Sequence, residues 1–239
     1  MTNEKERKDI TKRPKQGAAD AVHTIVRAGV SAIPVVGGPI KEIFTSLFAP
    51  PIVKRREEWI ESIAEKLQEL EKEFDSFKLE NLKDSKNFIT VVMHATTIAI
   101  RTHQEEKLDA LRNAILNSAV VPNPDEDLQG MFLDCIDTLT PSHLRVLKFF
   151  ENPRTWFQQK GIGSGNFAAG PPSAVLERAF PEFRRDFYEQ LVKDLSSRGL
   201  MQNAGSLHVM MTEQGMFDRR TTAMGQSFLK YISYPSRNT

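Results

Sequence analysis

The sequence has one cysteine, two tryptophans and three tyrosines in 239 residues. A lone cysteine can form no internal disulfide, so burial rather than cross-linking must hold the fold. Cys135 lies in the apolar pattern Leu128, Met131, Phe132, Cys135, Ile136, Leu139, where a free thiol behaves as a small hydrophobe. It is read as a buried structural thiol. An excess of charge is also lacking: 32 Lys and Arg stand against 31 Asp and Glu, a formal net of +1. No global field therefore draws the chain to nucleic acid or an acidic membrane, and any such affinity must come from local patches. Residues 1–16 lack the apolar core of a signal peptide. These absences point to a cytoplasmic protein, with peripheral contact at the inner membrane as a variant.

The chemistry-bearing patterns are missing too. Gly161, Gly163 and Gly165 lack the Gly-Lys-Ser/Thr ending of a phosphate-cradling loop. No strand pattern precedes them, so a dinucleotide site is excluded and the segment is read as a connector. His23, His94, His103, His143 and His208 are scattered singly, none with a His or Cys at metal-ligand spacing. The acid pairs Glu57-Glu58 and Glu105-Glu106 sit on polar helix faces, with no neighbour to shift a pKa for acid-base work. The expectation is a protein without catalytic residues, cofactor, metal or small-molecule substrate.

What is present is helical pattern in an ordinary soluble composition, 40% hydrophobic and 26% charged. Residues 1–16 form a basic leader carrying Lys5, Arg7, Lys8, Lys12, Arg13 and Lys15. Residues 17–53 are apolar and broken at Ile33-Pro34-Val35-Val36-Gly37-Gly38-Pro39, which predicts two short helices. Each is well short of the ~20 residues that span a bilayer. From Lys54 to about Phe77 the spacing of Trp59, Ile63, Leu67, Leu70, Phe74 and Phe77 predicts an amphipathic helix starting after Pro50-Pro51. Further helices are expected over 85–102, 105–119 and from Asp125 to Leu139. With their short connections they read as an antiparallel bundle over 54–139.

The last hundred residues form a second pattern. Thr140-Pro141 reads as a helix start. A short helix through Ala174 to Ala179 and a longer one from about Arg184 to Ser197 follow the glycine-rich loop, and Gly199 suits a left-handed cap. Leu200-Met201, Leu207-His208-Val209-Met210 and the polar stretch Glu213 to Arg220 suggest a small hairpin. Ser196-Ser197-Arg198-Gly199-Leu200 and Thr221-Thr222-Ala223-Met224-Gly225-Gln226-Ser227-Phe228-Leu229 resemble the ending of many winged-helix modules. That resemblance implies a winged helix over 140–239, and a mainly α fold of helical bundle plus winged helix. A loop around Lys160 to Pro172 is the expected cleavable connection.

Gly37-Gly38-Pro39, the charged helix from Lys54, Asn113-Ala114-Ile115-Leu116-Asn117-Ser118-Ala119 and the run from Asp134 to Phe150 span most of the chain. In these features the whole chain also resembles poorly characterised bacterial proteins of the abortive-infection alpha type. The resemblance implies a role in bacterial conflict and phage defence and carries over no catalytic residue.

Two functions follow as expectations. One is a non-enzymatic interaction or effector protein, whose 17–53 hairpin offers Ile33, Val35, Val36, Ile40, Phe44, Leu47 and Phe48 to a membrane surface, a protein partner or a second copy. The other is a DNA-binding regulator contacting phosphates through Arg184, Arg185, Lys193, Arg198, Arg219 and Arg220. From Arg184 onward there are eight bases and five acids, a weak footprint for DNA. The interaction protein is the leading expectation.

Overall fold

The computed structural model describes residues 39–74, 77–120, 125–163, 167–202 and 204–235, with side chains from Val53 onward. The chain divides into two compact units, Met1–Arg55 and Arg56–Thr239. The described fold is mainly helical, with a small antiparallel pair of strands.

Helix α1, Pro39–Glu73, runs through Pro50-Pro51 instead of starting after it. The two prolines leave the carbonyls of Ser46 and Leu47 without helical partners, but their fixed φ near −65° is itself helical, so the backbone need not stop. Its apolar stripe of Trp59, Ile63, Leu67 and Leu70 is buried as the spacing predicts. A short 3₁₀ turn, Leu79–Asp84, leads to α2, Lys86–Ala99, which Ser85 caps by accepting the Phe88 N–H. Helices α3, Glu105–Val120, and α4, Glu126–Thr138, pack with α2. Trp59 donates its indole N–H to Thr96 of α2 at 3.1 Å.

Helix α5, Pro141–Glu151, starts at Thr140 as expected. Helix α6, Pro153–Lys160, follows at once, capped by the Asn152 side chain. The sequence reading had no helix there. Strand β1, Ala169–Gly170, helix α7, Pro172–Ala179, and helix α8, Arg185–Ser197, come next. Gly199 ends α8 with φ of 72°. Strand β2, Met211–Thr212, pairs antiparallel with β1, and helices α9, Glu213–Met216, and α10, Ala223–Tyr231, complete the chain.

The expected hairpin takes another form. Ala204–His208 is a 3₁₀ turn rather than a strand, and 200–201 meets 221–222 in an isolated antiparallel bridge, Met201–Thr221, instead of a strand ladder. The polar stretch folds around Arg220, which is buried and donates to Ser206 Oγ at 3.1 Å and to the Gly215 carbonyl at 2.9 Å. A charged group so enclosed takes its hydrogen bonds from a curled chain, and a flat ladder would offer no such cradle.

The expected boundary after Leu139 does not divide the core. Phe132 of α4 lies 5.3 Å from Phe228 and 5.5 Å from Tyr231 of α10, centroid to centroid. Asn113 of α3 donates to the Ile232 carbonyl at 3.0 Å, and Asn117 to those of Tyr231 and Ser233 at 2.9 and 2.7 Å. Carbonyls at a helix end lack helical partners, and here α3 supplies them. No helix among the described residues is long and apolar enough to cross a membrane.

Candidate interaction surface

Helix α8 has an interior stripe and an outer face. Tyr188, Leu191, Val192 and Leu195 are buried, at the spacing one side of a helix requires. The outer side carries charge, and most of it is already paired. Arg184 binds Asp186, with one contact at 3.1 Å. Arg185 Nε meets Glu189 Oε1 at 2.7 Å, and His208 Nε2 reaches the same oxygen at 3.0 Å. Hydrogen bonds from the arginines hold the Asp186 and Glu189 carboxyls below their ordinary pKa values, which keeps both acids charged.

The six candidate phosphate contacts do not gather on one face. Arg184, Arg185 and Lys193 are exposed on or at the start of α8. Lys193 makes no ion pair among the described residues. Arg198 opposes the rise in the thiol pKa that burial gives Cys135. Arg219 pairs with Glu151 of α5 at 3.3 Å. Arg220 is in the interior, so it is placed to hold the chain and not to meet a ligand. Of the apolar candidates, Ile33, Val35 and Val36 lie outside the described residues. Ile40, Phe44, Leu47 and Phe48 fall in the first part of α1, ahead of the described side chains.

No protein-family model, curated protein or solved structure matches the chain. The reading of this surface therefore rests on its own chemistry.

Apolar side chains stand among these charges. Phe187 is 43% exposed, Val209 51% and Met210 68%. The His208–Glu189 pair ties the start of the Val209-Met210 segment to α8. Phe187 meets Phe183 edge to face at 5.3 Å, and Phe183 stacks on Phe180 at 5.0 Å. Arg145 covers both inner rings at 5.0 and 5.3 Å, the range of a cation–π contact. The pattern that suggests a hairpin includes Val209-Met210, and both residues instead lie outside any strand and are exposed. Spacing holds a signal for Phe187: at ~100° per residue it falls beyond the edge of the stripe formed by Tyr188, Leu191, Val192 and Leu195. Among the described residues no group of three His, Cys, Asp or Glu is arranged to hold a metal ion.

Proposed function

We propose that this chain is a non-enzymatic interaction protein that meets a protein partner through the outer face of α8 and the Val209-Met210 segment. The observation that carries the reading is the pairing of Arg184 and Arg185 with acids of the same helix beside exposed Phe187, Val209 and Met210. Locally neutralised charge around apolar side chains suits a protein surface better than a polyphosphate, whose binding needs uncompensated cations. The order of α5, β1, α7, α8 and β2, with α6 inserted after α5, and the Met201–Thr221 bridge support a winged-helix module with a curled wing. A setting in bacterial conflict is part of the proposal and rests on the resemblance of the sequence alone.

The same module order favours duplex DNA binding as the second reading, with Lys193 as its unpaired cation. Two measurements separate them. Anisotropy titration with random and genomic duplexes at ~150 mM salt is expected to give weak binding. Affinity capture from the source cell is expected to retain a specific protein that Phe187→Ser with Met210→Ser releases. Tight, competitor-resistant DNA binding abolished by Arg184→Ala with Arg185→Ala would make the regulator the right reading.

A further inference from the structure

A groove of about 510 Å³ opens among α5, α6 and the end of α10. That size lies in the ~300–1,000 Å³ range of small-molecule sites. Helix α5 contributes Arg145 and Lys148, with Asn152 just beyond its end, at i, i+3 and i+7, the spacing of one helix face. Helix α6 contributes Trp156 and Lys160 at i and i+4. Leu229 of α10 supplies an apolar wall.

The charge of this lining is one-sided. Arg145, Lys148 and Lys160 face a single acid, Glu151. Glu151 is engaged outside the groove, accepting the Thr221 hydroxyl on one oxygen and meeting Arg219 with the other. Arg145 has its partner, Glu182, outside the groove at 2.8 Å. Lys148 and Lys160 make no ion pair among the described residues, so two cationic side chains on adjacent helices line one concavity whose single acid is engaged elsewhere. Trp156, in the same lining, is only partly buried. It is braced by Phe149 and Phe157 at 5.4 and 5.3 Å with rings perpendicular to its own, which fixes the indole's position.

Cations that line one concavity favour an anion, and a braced indole offers a planar surface to a ring joined to it. We propose that this groove binds a nucleoside phosphate, with the phosphates on Lys148 and Lys160 and the base against Trp156. The site is separate from the outer face of α8 and does not depend on the reading of that face.

Calorimetric titration of the full chain with adenosine diphosphate, adenosine and inorganic phosphate tests it. Saturable binding of the diphosphate is expected, tighter than that of adenosine or phosphate. Lys148→Ala with Lys160→Ala is expected to weaken it at least about tenfold. Both lysines are exposed, so an unchanged melting temperature should accompany the loss. Trp156→Leu should erase the preference for the diphosphate over phosphate, while Arg184→Ala with Arg185→Ala should leave binding unchanged. No saturable diphosphate binding, binding indifferent to the two lysines, or phosphate bound as tightly as the diphosphate would overturn the proposal.

Discussion

Arg219 and Arg220 are adjacent in sequence and opposite in environment. Arg219 is half exposed and pairs with Glu151 across the surface, whereas Arg220 is 6% exposed and holds Ser206 and Gly215 together. Arg220→Ala is expected to destabilise the protein by about 2–3 kcal/mol, since the Gly215 carbonyl loses its buried donor. Arg219→Ala should cost less than about 1 kcal/mol, as exposed pairs do. Equal losses in urea unfolding would contradict the placement of Arg220. His143 is a buried titratable residue at the start of α5. Its Nδ1 accepts the Thr140 backbone N–H at 3.1 Å, so the ring proton sits on Nε2 and is donated to Asp194 at 3.3 Å. Burial pushes its pKa down and outweighs the opposing hydrogen bond to Asp194; Arg198 adds to the lowering. The unfolded chain therefore binds this proton more readily. The contribution is complete above the unfolded value of about 6.5 and is lost as pH falls through the lower folded value. His143→Gln keeps an acceptor for Thr140 and removes the titration. Melting temperatures measured from about pH 7.5 to 5 should fall less steeply in the variant, and parallel curves would count against this assignment.

At the scale of the element, the start of α10 shows why a glycine stands inside a helix. Thr222 caps the helix by accepting the Gly225 N–H at 3.0 Å, and its own N–H donates to the Leu200 carbonyl at 3.1 Å. That draws the first turn against the chain leaving α8. A Cβ on Gly225 would overlap the Leu200 carbonyl oxygen and lie 3.0 Å from its carbon. Replacing a helical glycine by alanine ordinarily stabilises by up to ~1 kcal/mol. Here Gly225→Ala should destabilise by at least about 2 kcal/mol, as forced overpacking does. A raised melting temperature would show that α10 does not touch the backbone at Leu200. Helix α6 carried a local signal that went unread, an Asn cap followed by proline at the first helical position. The continuity of α1 through Pro50-Pro51 had none, because proline pairs mark starts more often than interiors.

At the scale of the molecule, the buried residues from Trp59 to Ile232 form one cluster, and the carbonyl end of α10 is bound by Asn113 and Asn117 of α3. Residues on the two sides of Leu139 should consequently unfold together. Trp59 reports on α1 and Trp156 on α6, and a Trp→Phe substitution at either isolates the other. Fluorescence from the two is expected to give the same urea midpoint. Separate midpoints would restore the division after Leu139 that the sequence suggested.

The sequence by itself determined most of the helices and the interior stripe of α1 from Trp59 to Leu70, though neither α6 nor the continuity of α1 through Pro50-Pro51. Periodic apolar spacing and local caps such as Ser85, Asp125 and Thr140 act within a few residues of chain. It also bounded the chemistry, since a near-zero net charge and a lone cysteine are properties of composition. The tertiary structure decided what the charges do. Arg184 and Arg185 are paired along α8, Arg219 across to α5, and Arg220 is enclosed by a curled segment that the pattern had read as a hairpin. It also brought Lys148 and Lys160 into one groove and bound α10 to α3. These are contacts between residues far apart in sequence or on different elements, and their energies depend on burial and distance, neither of which a one-dimensional pattern contains.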